Sequence, residues 1–154
     1  MAEKPLDPFG DRAYAAELDP AATPAHKGGR FLVLDTVEIH KTGPRVTCIA
    51  KLKRAGQVHR GEATELDSTI GRVRAAARAT LAAATQVVDT VSFGLEGIAL
   101  TDFFSRRYVV VSIEAAQRRR FIILSGIVAL DAARSNEEAA ALAVLRAIDR
   151  WIST

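Results

Sequence analysis

The chain has 154 residues, of which 49% are hydrophobic and 25% are charged, and its formal net charge is +3. This length and composition are typical of a globular protein with one domain or two small units around a buried core. The single cysteine, Cys48, excludes an intramolecular disulfide and a cysteine-rich zinc site.

The start of the chain has no signal-peptide pattern, because it is charged and interrupted by prolines. The longest apolar run, in residues 121–130, is about half the length that a membrane span needs. We therefore expect a cytoplasmic protein with no membrane attachment. Residues 1–29 hold four of the five prolines and are predicted to form a flexible N-terminal arm.

Residues 30–88 are predicted to form a first βββα unit. Three segments rich in β-branched residues or alternating in polarity, separated by the turn sequences KTGP and RAG, predict strands at 30–40, 45–53 and 57–64. Ser68 is a typical helix N-cap residue. The apolar residues that follow it at helical spacing are Ile70, Val73, Ala77, Leu81 and Ala84.

Residues 89–154 repeat this order. Strands are predicted at 91–103, 106–115 and 118–130, and the final helix has Ser135 as its N-cap, 67 residues after Ser68. The sequence therefore predicts an α+β fold made of tandem duplicated βββα units. Each unit would be an antiparallel sheet covered by a helix, with a pseudo-two-fold relation between the units, and the two would form one compact domain.

The strands of the second unit include YVVVSI and FIIL, which are apolar on both faces. A sheet tolerates this only when both sides are covered. A helix covers one side, so the other needs the N-terminal arm, a second subunit or a different protein. A homodimer is the simplest solution.

The sequence contains no catalytic constellation. His26, His40 and His59 lack a second ligand at metal-binding spacing, and no phosphate-binding loop or nucleophile elbow is present. Acidic residues before the first helix favour its N-terminal dipole. We expect no enzyme activity, no metal and no cofactor.

Five arginines support an alternative function. They are predicted to lie around the ends of one hairpin, in a region whose αβββα order is that of double-stranded-RNA-binding domains. The acidic start of the last helix, SNEEAA, argues against phosphate binding there. The nucleic-acid residues of this alternative are Arg106, Arg107, Arg118, Arg119 and Arg120.

The segments VHRGEATELDSTIGRVRAAARATLAAA and LSGIVALDAARSNEEAAALAVLRAIDRW each run from a strand with glycine, through an aspartate-containing turn, into an alanine-rich helix. In this pattern residues 31–151 resemble the C-terminal regulatory domain of 2-isopropylmalate synthase (LeuA-type), an allosteric and dimerising domain. The resemblance does not extend to the catalytic barrel of those enzymes, so synthase activity cannot be inferred from it.

The resemblance implies a non-catalytic regulatory protein that senses a ligand or forms a dimer. Its partners would be a second copy, a small metabolite such as an amino acid, or another protein. By position, the ligand would lie at the two strand-to-helix turns, with an apolar pocket lined by Val73, Ala77 and Leu142. The turn residues so implied are Gly61, Thr64, Asp67, Ser68, Gly126, Asp131 and Ser135.

Overall fold

Strands and helices follow in the order βββαβββα over residues 32–152, the part of the chain that this computed structural model describes. The first unit comprises β1 (Val33–Thr42), β2 (Arg45–Arg54), β3 (Gln57–Leu66) and α1 (Thr69–Val87). The second comprises β4 (Ser92–Phe103), β5 (Arg106–Gln117), β6 (Arg120–Ala129) and α2 (Asn136–Ile152). The predicted α+β fold with a duplicated unit is confirmed. The flexible arm predicted for residues 1–29 lies outside the described residues.

Each unit contains a three-stranded antiparallel sheet with its second strand in the middle. The strands are joined by two-residue turns, and such short turns fix hairpin register. In the first unit, Gly43 and Gly56 take φ values of 59° and 81°, which glycine adopts without steric cost. In the second unit, Phe104 and Ser105 occupy the same left-handed region. The sequence pattern predicts that β1 ends at residue 40, but the strand continues to Thr42. Only Gly43 and Pro44 form the turn that follows it.

A β-bulge interrupts the first strand pair of both sheets at the same place. The register of β1 on β2 shifts at Asp35, and that of β4 on β5 shifts at Glu96. The two sheets have the same pairing pattern. A residue of β1 or β2 corresponds to the residue 61 positions later in β4 or β5, and a residue of β3 corresponds to the residue 65 positions later in β6. The bulge is therefore part of the duplicated pattern, and register defines equivalent positions in the two units.

Each helix packs directly on a glycine of its own sheet. A Cβ on Gly61 would lie 2.0 Å from the carbonyl oxygen of Ala79, and a Cβ on Gly126 would lie 2.0 Å from that of Ala143. No other residue fits there, so the glycine lets the helix backbone rest on the strand. This shared contact makes Ala79 and Ala143 equivalent positions of the two helices.

The helices also hold the two units together. α1 packs across β2 and β3 and reaches β4, while α2 packs across β5 and β6, reaches β1 and contacts α1. Small side chains allow this close approach, because an alanine methyl group extends little beyond the helix backbone and neighbouring elements can pack close to it. The alanines buried in the helices are Ala75, Ala76, Ala77, Ala79, Ala83 and Ala84 in α1, and Ala139, Ala140, Ala141, Ala143 and Ala147 in α2. Since each helix covers strands of both units, the units share one hydrophobic core.

Both predicted helix N-caps are confirmed. The Ser68 hydroxyl accepts a hydrogen bond of 2.9 Å from the backbone N–H of Gly71. The Ser135 hydroxyl accepts one of 3.0 Å from the backbone N–H of Glu138. Each bond satisfies one of the backbone donors that a helix start leaves unpaired.

Candidate interaction surface

The two glycines that the resemblance placed in a ligand site lie beneath the helices. Gly61 and Gly126 are buried within β3 and β6, and helix backbone or alanine side-chain atoms occupy the space beside them. Their role in the fold is helix–sheet contact. Neither offers an open backbone to a small molecule.

Asp67, at the start of α1, is committed to partners within the chain. Its carboxylate accepts a hydrogen bond of 2.6 Å from Arg72 Nε and lies 3.1 Å from Lys41 Nζ. Hydrogen bonds from these two cations hold the pKa of the Asp67 carboxyl below its ordinary range. Its backbone N–H also donates to the Pro44 carbonyl, 2.9 Å away. Asp67 therefore fastens the start of α1 to the β1–β2 turn, and the neighbouring Ser68 caps the helix.

The remaining residues of the expected ligand site also have internal partners, and Thr64 lies within β3 rather than in a turn. Thr64 Oγ1 is 2.8 Å from Thr47 Oγ1, on the side of the sheet away from the helices. The Asp131 carboxylate accepts a hydrogen bond of 2.8 Å from the backbone N–H of Ala133, and Ser135 caps α2. The structure thus gives the seven residues roles in helix–sheet packing, cross-strand hydrogen bonding, helix capping and turns. Of the three expected pocket residues, Val73 and Ala77 are buried in the core and Leu142 is half-buried.

The five arginines lie in two groups at opposite ends of β5. Arg106 and Arg107 begin that strand, whereas Arg118 and Arg119 form the turn after it and Arg120 begins β6. A strand of 12 residues separates the groups by about 35 Å. Arg107 Nε is 3.2 Å from the Asp102 carboxylate, and the first turn of α2 carries Glu137 and Glu138. The arginines do not form one basic patch.

The described residues 32–152 hold no group of three or more histidine, cysteine, aspartate or glutamate side chains able to bind a metal. His40 Nε2 lies 3.6 Å from the Glu38 carboxylate, and His59 is on β3. Burial raises the pKa of the Cys48 thiol to about 12, and the negative charge of Glu137 adds to the rise. Such a thiol is a poor nucleophile. Neither α1 nor α2 has the length and apolar character needed to cross a membrane.

The face of the first sheet that points away from the helices carries ion pairs, although Val33, Val58 and Leu66 of this sheet are also exposed. The Glu38 carboxylate lies 3.4 Å from Lys51 Nζ, and Arg60 is 3.4 Å from the Glu62 carboxylate. Together with His40, these side chains form an ionic surface across all three strands. A face of this kind is suited to water.

The same face of the second sheet has lost these charges. Every ionisable residue of that ionic surface has an uncharged residue at the register-equivalent position. The equivalent pairs, first unit then second, are Glu38 and Ala99, His40 and Thr101, Lys51 and Ser112, Arg60 and Ser125, and Glu62 and Ile127.

Large apolar side chains remain exposed on this second face. Phe121 is 63% exposed, Phe103 is 47% exposed, and Ile123 and Ile127 are each 45% exposed, while Phe104 in the adjoining turn is 90% exposed. The apolar outer face, as we call it, is formed by Phe103, Tyr108, Val110, Phe121, Ile123 and Ile127. The alternation of the strands predicted an apolar surface here, but only the register identified the missing charges opposite the first unit.

Two opposite charges remain on β5 at the two ends of the apolar outer face. Arg106 and Glu114 point to the same side as Val110 and lie four residues before and after it. Neither has an ion-pair partner within residues 32–152.

A cleft of about 390 Å³ lies where α1 meets β4, at the junction of the two units. Its apolar wall is formed by Leu81, Phe93 and Leu95, and its charged residues include Arg74 and Glu96. We call this cavity the α1–β4 cleft. Sequence patterns did not indicate it, although Gly94 and Gly97 inside a strand were a signal for an unusual position.

No protein-family model matches the chain, and no curated protein matches it. The likeness to the regulatory domain of 2-isopropylmalate synthase therefore remains a proposal based on the pattern of residues 31–151.

Proposed function

We propose that this chain is a non-catalytic regulatory module that works as a homodimer, with the apolar outer face as its dimer interface. The observation that carries the proposal is the difference between the two equivalent faces. The first sheet presents ion pairs to water, whereas the second presents Phe121, Ile123 and Ile127. A duplicated fold that keeps these ion pairs on one face and replaces them with uncharged residues on the other is specialised for association through the second face.

The size of the apolar outer face suits a second copy. Its strands have 12, 12 and 10 residues, which gives a projected footprint of about 500 Å². The relief of the side chains raises the accessible area above this projection, towards the roughly 800 Å² that each partner buries in a standard interface. Two such sheets packed face to face form a sandwich core about 10 Å thick.

The remaining charges favour a symmetric arrangement. In a two-fold dimer, a residue that contacts a second residue on the partner is itself contacted by that second residue's counterpart. Consider a two-fold axis that lies between the two sheets, directly above Val110 and perpendicular to β5. This axis brings Arg106 of one copy opposite Glu114 of the other. The face is therefore complementary to itself in charge as well as in apolar character.

The proposal is tested by placing a charge in the middle of the apolar outer face. Ile127→Glu introduces the carboxylate that the first unit carries at the equivalent position, Glu62. A buried carboxylate without a partner opposes association, and the dimer would contain two. We expect the dimer dissociation constant of the full-length chain, measured by sedimentation velocity over a concentration series, to rise at least 100-fold.

Val58→Glu is the matched control. Val58 is 50% exposed at the position of the first sheet that corresponds to Ile123, so the variant adds the same charge to an equally exposed site on the other sheet. It should dimerise like the wild type. Equal weakening by both variants would contradict the proposal. So would a monomeric wild-type chain that dimerises only after residues 1–29 are removed, because the arm would then be what covers the face.

A further inference from the structure

The α1–β4 cleft combines an apolar wall with an arginine that has no partner among residues 32–152. Arg74 projects from α1 into the cleft and is half-buried. Its guanidinium makes no hydrogen bond or ion pair with another residue in the described range 32–152. The neighbouring Arg78, in contrast, is paired with the Glu65 carboxylate. The cleft therefore has one uncommitted cation.

The strand glycines that line the cleft are not required by the fold. Gly94 and Gly97 do not adopt positive φ, and a Cβ at either position would meet no atom within 4 Å. Register pairs Gly94 with Glu114 and Gly97 with Ser112, so a Cβ at either position would point to the outer face, and the two glycines meet the cleft through their backbone. The bulge itself does not need glycine, because the equivalent residues beside the β1 bulge are Val33 and Thr36.

The corresponding junction of α2 with β1 lacks the same chemistry. The helix equivalence defined by Ala79 and Ala143 places Glu138 at the position of Arg74. A carboxylate there would repel an anion that the arginine attracts. The duplication has therefore not repeated the cation of the α1–β4 cleft at the α2–β1 junction.

The Arg74 guanidinium and the apolar wall of the α1–β4 cleft indicate the type of ligand. A guanidinium binds a carboxylate through two parallel hydrogen bonds, and an apolar body would pack on Leu81, Phe93 and Leu95. Glu96 is also a lining residue of the cleft, but its carboxylate accepts a hydrogen bond from the Ser112 hydroxyl on the outer face of the second sheet.

We infer that the α1–β4 cleft binds one small carboxylate with an apolar body per chain. This inference does not rest on the proposed dimer, because Arg74 lies on α1 and the apolar outer face lies on the far side of the second sheet. Bound ligand would bridge α1 of the first unit and β4 of the second. The site thus places a small molecule at the contact that joins the two units.

The probe for the test is hexanoate, titrated into the full-length ¹⁵N-labelled chain and followed by amide chemical shifts. We expect saturable shifts at Gly94 and Gly97 that fit one site per chain. Hexan-1-ol, which lacks the charge, should bind at least five-fold more weakly. Arg74→Gln should weaken hexanoate binding at least ten-fold.

Two further variants separate a site from a general effect. Arg119→Gln removes the same charge from the exposed β5–β6 turn and should leave the hexanoate affinity unchanged. Ala82→Leu fills the cleft without changing its charge and should also abolish the saturable shifts. Binding of hexanoate by the Arg74→Gln chain with wild-type affinity would overturn the inference, as would non-saturable shifts spread over the surface.

Discussion

Gly61→Ala is the substitution that most directly tests the packing of helix on sheet. The added Cβ would lie 2.0 Å from the Ala79 carbonyl oxygen and 2.4 Å from the Ala83 backbone nitrogen, whereas ordinary contact begins at 3.4 Å. Both obstacles are backbone atoms of α1, so no side-chain rotation relieves the overlap. The helix must move away from β3 by more than 1 Å, and a gap of that size forfeits a quarter to a half of each dispersion contact along the interface.

Overpacking of this kind costs about 3 kcal/mol, at the upper end of the usual range because backbone atoms clash. For a described region of about 120 residues, this corresponds to a fall of roughly 10 °C in melting temperature. The assay is urea unfolding followed by far-ultraviolet circular dichroism at one fixed protein concentration.

Gly94→Ala is the matched control, because its Cβ meets nothing within 4 Å and its φ is not positive. It should leave stability unchanged or raise it by about 0.5–1 kcal/mol, since alanine restricts the unfolded chain more than glycine does. Equal urea midpoints for the two variants would refute the helix–glycine contact.

Three further predictions concern individual side chains. Cys48, whose thiol pKa is about 12, should react with Ellman's reagent at pH 8 roughly 1,000-fold more slowly in the folded chain than in urea; a fast native reaction would show that the thiol is accessible. The pKa of Asp67 is lower in the folded chain than in the unfolded one, so its ion pairs stabilise the fold above about pH 4 and lose that effect as the pH falls through the folded-state pKa. The difference in unfolding free energy between wild type and Asp67→Asn should therefore be constant from pH 5 to 8 and shrink below pH 4 in urea titrations; a constant difference down to pH 2 would count against the pairing. Arg106→Glu and Glu114→Arg should each weaken the dimer in sedimentation velocity, and the double variant should recover most of the loss; additive losses would rule out the proposed axis at Val110.

The sequence predicts the architecture well because the duplication repeats strong local signals. Short glycine-containing turns, alternating strands and the serine caps Ser68 and Ser135 each act within a few residues. The N-caps and the βββα order follow from such local rules. Strand ends are less certain from sequence, as at β1, because the pairing with β2 rather than local preference decides where a strand stops.

The candidate sites depend on relations that one sequence does not display. Gly61 was assigned to an open turn, but its place beneath α1 depends on how the helix crosses the sheet. The missing charges of the apolar outer face become visible only when register matches residues 61 or 65 positions apart. The α1–β4 cleft joins residues of different units, and no local pattern brings Arg74 next to Phe93.

Sedimentation equilibrium of the wild-type chain tests the central claim most directly, since that claim is self-association through one of two equivalent sheet faces. We expect the fitted mass to approach twice 16.6 kDa at micromolar concentration. A mass of 16.6 kDa that does not change up to a concentration of 100 μM would contradict it.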